Sequence, residues 1–126
     1  MNWSEFITLA RGLAGHRFEG SQRSAISRAY YGAFNLSRRW LELNVTPIDN
    51  RGAHEQVWET FRSADHANAV SQKKWKRIAD LGVSLRSLRN EADYNDFVID
   101  LGDRAPRAVD AAEEIIWLLG ELELAD

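Results

Sequence analysis

The sequence contains no cysteine. That removes disulfides, thiolate zinc sites and cysteine nucleophiles, and it sets the expectation of a reducing, cytoplasmic setting. Proline occurs only twice and the eight glycines are scattered, so no low-complexity linker divides the 126 residues. No apolar run approaches the length a bilayer requires. The opening stretch MNWSEFITLARGLAG carries Glu5 and Arg11 within it, so neither a targeting signal nor a membrane span is expected. Histidine is sparse too: His16, His54 and His66 lie far apart without metal-ligand spacing, so neither a metal nor a cofactor is expected. A glycine-rich phosphate loop and a nucleophile elbow are both missing.

What is there reads as one folded domain over residues 1–126, with 44% hydrophobic and 28% charged residues. Helical spacing dominates it. Trp3, Phe6, Ala10 and Leu13 step by three and four, with Asn2 or Ser4 available as a cap. A long second helix follows from Glu19, with Ser21 or Ser24 as its cap, and Ile26, Tyr30, Ala33, Ser37 and Trp40 form its stripe. Tyr31 and Phe34 widen that stripe. Pro47 and Gly52 break the pattern before a short helix from Ala53 to about Phe61, which buries Val57, Trp58 and Phe61. The next helix runs from near Ser71 to about Asn95, with Ile78, Leu81, Leu85, Leu88 and Ala92 inward. In the last, Asp103 caps, Pro106 lies in the first turn, and the stripe is Val109, Ala112, Ile116, Leu119 and Glu123, with Ile115, Leu118 and Leu122 beside it. No stretch alternates like a strand. The expected fold is all-α, an up-down bundle of four long helices and one short helix.

Charge is unevenly spread. Up to Asn90 there are fourteen basic against eight acidic residues; beyond it, two against eleven. Such a basic body can bind a polyanion on one side. All three lysines, Lys73, Lys74 and Lys76, sit in KKWKR around Trp75, where they suit a nucleic-acid backbone, although Trp75 itself is in register with the core. Further along the same helix, LRSLRNEADYNDF gathers Arg86, Arg89, Asn90, Asp93 and Tyr94. At roughly 100° per residue these five share one face, read as lying opposite the leucine stripe and outside the core. Paired guanidiniums on such a face can hold a phosphate. The plainer reading is a solvated face with one Arg89–Asp93 pair. His54, opening the short helix, is an additional candidate beside its more ordinary role as a cap or packed ring.

Three stretches in order, SRAYYGAFNLSRRWLE, RGAHEQVWETF and RNEADYNDFV, resemble the HEPN superfamily (higher eukaryote and prokaryote nucleotide-binding domains), and most of all its small stand-alone bacterial branch. The resemblance spans Ser21 to Val98. It implies a helical bundle acting as a homodimer, with an anion-binding cleft at the dimer interface that takes RNA or a nucleotide. Many such proteins are metal-independent ribonucleases, and many are toxins held by a nucleotidyltransferase-fold antitoxin. Their catalytic arginine falls on Arg89 and its polar neighbour on Asn90. Tyr94 stands where the family has its histidine.

That departure divides the inherited chemistry. RNA cleavage by its own 2′-hydroxyl needs a base and an acid. Imidazole titrates at about 6.5 and serves either role, whereas a phenol near about 10 donates but is rarely ionised. Arg86 and Arg89 are therefore expected to bind phosphate, Asn90 to orient it, Asp93 to hold Arg89 or act as base, and Tyr94 to be a weak acid or stacking group. The rival expectation is a non-catalytic scaffold or regulatory subunit that binds a partner protein, in which Arg89–Asp93 is structural and Tyr30 and Tyr31 are packing.

Overall fold

A computed structural model describes residues 1–63 and 68–124; His66 lies outside them. Five helices follow one another: α1 (Ser4–Ala14), α2 (Glu19–Asn44), α3 (Ala53–Arg62), α4 (Ala69–Tyr94) and α5 (Leu101–Leu124). Among the described residues there is no strand, and the all-α bundle expected from helical spacing is what the chain forms. Its proportions differ: α2, α4 and α5 are long, at 26, 26 and 24 residues, whereas α1 has 11 and α3 has 10. No helix among the described residues is long and apolar enough to cross a membrane.

Helix α2 packs against all four others, and α3 lies across α4 and α2. Two glycines permit close approaches. A Cβ on Gly32 would meet the Ile7 side chain at 2.7 Å and the Trp3 carbonyl at 3.0 Å, and one on Gly82 would run into the Trp58 ring. These positions set how near α1 comes to α2 and α3 to α4.

The helix starts correct the cap assignments. Helix α2 begins at Glu19 with Phe18 ahead of it and no side-chain cap, so Ser21 and Ser24 lie inside the helix. Helix α4 starts at Ala69, because Asn68 Oδ1 accepts the Ser71 N–H at 2.9 Å. Asn2 Oδ1 accepts the Ser4 N–H at 3.2 Å. Helix α5 begins at Leu101 after Asp100 in the left-handed region (φ 53°), which places Asp103 within the first turn rather than at the cap, and Pro106 inside the helix beyond that turn. Proline leaves the Gly102 carbonyl without its helical donor, at an exposed position where water can serve instead.

The stripe on α5 is also displaced. Ile115, Leu118 and Leu122 are buried together with Val109, Ala112 and Leu119, whereas Ile116 is half-buried and Glu123 exposed. On α1 the buried residues are Ile7, Ala10 and Ala14, with Trp3, Phe6 and Leu13 at the margin. The stripe read on α2 is buried throughout. The end of α4 is clasped from α2: Arg23 donates to the carbonyls of Ala92 (2.9 Å), Asn95 (2.6 Å) and Asp96 (2.9 Å).

Candidate functional site

Three helices meet around Arg89. Helix α2 supplies adjacent Tyr30 and Tyr31, with Phe34 one turn on; α3 supplies His54 at its second position and Trp58 one turn later; α4 supplies Arg86, Arg89 and Asp93. The Arg89 carbon Cζ lies 5.2 Å from the ring centroids of both Tyr30 and Tyr31, so the cation is held against two π faces. Its Nη1 donates to the Tyr31 hydroxyl at 3.3 Å. Asp93 Oδ2 stands 3.8 Å away and accepts from Ser27 Oγ at 3.4 Å. The Arg89 Nε–H is buried without a partner among the described residues.

Arg89 is only 7% exposed. This corrects the expectation that all five polar residues of α4 share a solvent-facing surface. The helical register itself gives the reason: Arg89 follows Leu85 by four residues and precedes Ala92 by three, and both of those are buried. Tyrosine rings and a hydroxyl make a lining that a guanidinium can occupy where a plain aliphatic wall would expel it.

Around this centre the electrostatics are positive. His54 is half-buried, its ring stacked on Phe34 at 4.0 Å. Burial, then the charges of Arg86, Arg89 and Arg38, hold its imidazole below the usual range. Burial pushes the Tyr30 phenol up, so it keeps its proton. Arg86 makes no hydrogen bond or ion pair among the described residues, and its Nε is buried without a partner. It lines an open cavity of about 540 Å³ between α3 and α4, along with Arg51, Trp58, Val83, Glu55 and Glu59. A guanidinium in that position is short of acceptors, which an anion supplies.

The structure thus brings together Arg86, Arg89 and His54, with Asp93 at the rim. Asn90 and Tyr94 are exposed, Tyr94 by 74%, and neither side chain forms a hydrogen bond among the described residues. The lysines form a separate feature. Lys73 and Lys76 are exposed and Lys74 half-buried near the start of α4, and Lys76 lies about 15 Å along the axis from Arg86 at the usual helical rise. Trp75 between them is core, 5.2 Å from Phe61 and 5.3 Å from Trp40. Among the described residues, no three His, Asp or Glu side chains gather into a group able to hold a metal ion.

Sequence reasoning named His54 and Arg89 but left out the aromatic lining between them. Tyr30 was read as a core position and Tyr31 as a second contact face, which describes their backbones correctly and misses their hydroxyls. The usable signal was Arg89 in core register: a buried arginine needs polar or aromatic company, and the Tyr-Tyr pair on the neighbouring helix is the residue type that supplies it. No family model matches the chain, nor does any curated protein or solved structure.

Proposed function

We propose that this chain is an HEPN-like protein that binds RNA or a nucleotide as a homodimer, its sharpest form being a metal-independent ribonuclease toxin of a toxin–antitoxin or defence locus. The observation that carries the reading is the meeting of Arg86, Arg89 and His54 beside Tyr30 and Tyr31, with the Asp93 carboxylate beside Arg89. Such a centre attracts phosphate and stabilises the charge that builds up on phosphorus during transfer. The lysines near the start of α4 form a second, separate basic feature of the kind that suits a nucleic-acid backbone. Exposed apolar side chains on the three long helices, Leu43, Val83 and Trp117, are available to a second copy.

A second reading has its own observation. Arg89 is packed between rings as a structural arginine is, and Tyr94, at the family's histidine position, has no hydrogen-bond partner among the described residues. That arrangement favours a non-catalytic scaffold for a partner protein, a nucleotidyltransferase-fold antitoxin among the candidates.

One preparation tests both. Single-stranded RNA should bind with an affinity that falls as salt rises, because each neutralised phosphate releases counterions. Arg86→Gln should weaken binding about tenfold, in the range of a charge-assisted contact. Reversing Lys73, Lys74 and Lys76 to glutamate should flatten the salt slope. Cleavage should survive chelator and stop with 2′-deoxy substrates, and the protein should sediment as a dimer. Binding indifferent to both salt and Arg86→Gln would discard the anion site. Intact binding without cleavage would select the scaffold.

A further inference from the structure

His54 is the one ionisable side chain of the cluster that anion attraction by arginines leaves without a task. Phe34 covers one face of its ring, at 4.0 Å with 14° between the planes. The Tyr30 hydroxyl oxygen lies 2.6 Å from its Nδ1. Trp58 Nε1–H donates to that same oxygen at 3.2 Å. One ring face and one ring edge are therefore taken, while Nε2, on the remaining edge of a half-buried side chain, makes no hydrogen bond among the described residues.

Counting donors and acceptors fixes where the hydrogens lie. Indole N–H only donates. Tyr30 is fully buried and keeps its phenolic proton. Among the described residues, His54 Nδ1 is the acceptor within reach of that proton. With Nδ1 accepting, a neutral imidazole carries its hydrogen on Nε2. The other tautomer would aim two N–H groups at one phenol oxygen and strand a buried hydroxyl hydrogen. An imidazolium meets the same obstacle and a like-charge field besides. The charges acting on the ring are Arg86 and Arg89 from α4 and Arg38 from α2, all positive; its own helix offers Glu55, which is exposed, and α2 otherwise offers the neutral phenols of Tyr30 and Tyr31.

We propose that His54 is a fixed neutral donor of the site: the chain from Trp58 through Tyr30 to Nδ1 sets the tautomer, and Nε2–H is offered to a phosphate group drawn in by Arg86 and Arg89. This rests on the anion reading given above and gives it a directional element. The guanidiniums supply charge; the imidazole adds a hydrogen bond without adding charge that three arginines would repel. The ligand class is a tetrahedral oxyanion, as a phosphate monoester or as a link in a nucleic-acid backbone. The assignment also separates His54 from proton transfer, since a group held neutral with Nε2 already protonated donates a hydrogen bond and takes up no proton there.

Long-range ¹H–¹⁵N spectra of the full chain at pH 7 read the tautomer without any ligand, and should show hydrogen on Nε2 and a bare Nδ1. Tyr30→Phe should release that preference. Titration with inorganic phosphate should then move the Nε2 resonance. His54→Gln, whose amide can still donate, should keep phosphate affinity within about threefold, whereas His54→Leu should lose about tenfold, the scale of a hydrogen bond to a charged acceptor. Hydrogen on Nδ1, or an imidazolium, would overturn the assignment. Equal losses in the Gln and Leu variants would overturn the donor role, since a donating amide would then restore nothing. Unchanged affinity in His54→Leu would remove His54 from the site while leaving the arginine site standing. Wild type that binds no phosphate would sink the anion reading and the donor with it.

Discussion

Two aromatic clusters share the length of α4, and they treat their polar atoms differently. Towards its start, Trp40, Phe61 and Trp75 pack with centroids 5.2 to 5.9 Å apart. Further along, Tyr30, Tyr31, Phe34, His54 and Trp58 form a second cluster, in which Tyr30 and Tyr31 pack against the Arg89 guanidinium. Among the described residues each region holds two buried polar atoms without a partner: Trp40 Nε1 and, three residues before it on α2, Ser37 Oγ for the first, Arg86 Nε and Arg89 Nε for the second. The count is the same and the meaning is not. A stranded neutral group costs about 1–3 kcal/mol and its influence ends at its own surface. A guanidinium short of acceptors projects its charge to its surroundings, and here it adds to the effect of burial in lowering the imidazole beside it. An orphaned atom alone therefore does not mark a site; an orphaned atom on a charge beside an open cavity does.

The largest effect that would sharpen this contrast is in the packed cluster. Phe61 is fully buried, so Phe61→Ala should cost about 3–5 kcal/mol of stability, measured by denaturant unfolding. In whatever fraction remains folded, RNA affinity should be unchanged, because the ring touches no charged member of the other cluster. A specific loss of affinity without loss of stability would erase the distinction between the two regions.

Next in size is Arg89→Met, which keeps much of the side-chain length against Tyr30 and Tyr31 and removes the charge. On the ribonuclease reading proposed above, RNA cleavage should fall about 100-fold, as when an oriented electrostatic group is lost, while the fold is retained. Arg89→Ala is the poorer variant, since the buried stem also contributes packing. Unaltered cleavage in Arg89→Met would make Arg89 a structural cation and the two clusters alike.

The smallest effect is a pH dependence confined to the polar cluster. His54 is held below its usual range in the fold, whereas in the unfolded chain it titrates at about 6.5. As pH falls through that value the unfolded chain takes up a proton that the fold resists, so stability declines from there downward and is flat above. Unfolding midpoints between pH 8 and pH 5.5 should show the decline, and Arg86→Gln should reduce it by removing one of the depressing charges. Glu114, held low by Arg77, acts in the same direction but in the carboxylate range, outside that window. A decline that persists in His54→Gln would have to come from another group.

How much of this was legible in the sequence varies with how far apart the partners lie. Helix positions were, because spacing of three and four is local; Trp75 was placed in the core by register alone, against the pull of its lysine neighbours. Arg89 stands in the same kind of register, four residues after Leu85, but at roughly 100° per residue it falls at the edge of the polar arc nearest the leucine stripe, and treating the five polar residues as one face puts it outside. A helical wheel does not separate the edge of a polar arc from its centre, and the tyrosine lining that makes the buried position tolerable belongs to α2, 58 residues away. The Tyr30–His54 contact is likewise long-range, across 24 residues, and periodicity carries no information about which hydroxyl meets which ring nitrogen. On α5, where apolar residues fill more than one stripe, spacing could not decide between Ile115 and Ile116. The burial of the first and partial exposure of the second follow from how α5 sits on α2 and α4.

The Arg23 clasp has a consequence for which changes the chain can absorb. Its three acceptors at the end of α4 are main-chain carbonyls, of Ala92, Asn95 and Asp96. Every amino acid, proline included, carries that oxygen. The clasp therefore senses the path of the backbone and is blind to the side chains borne there, so exposed positions such as Asn95 and Asp96 are free to drift in sequence while the turn stays in place. Arg23 has no such freedom. Its two terminal nitrogens span three oxygens as a rigid fork, and a lysine, with a single ammonium on a flexible stem, has no geometry to replace it.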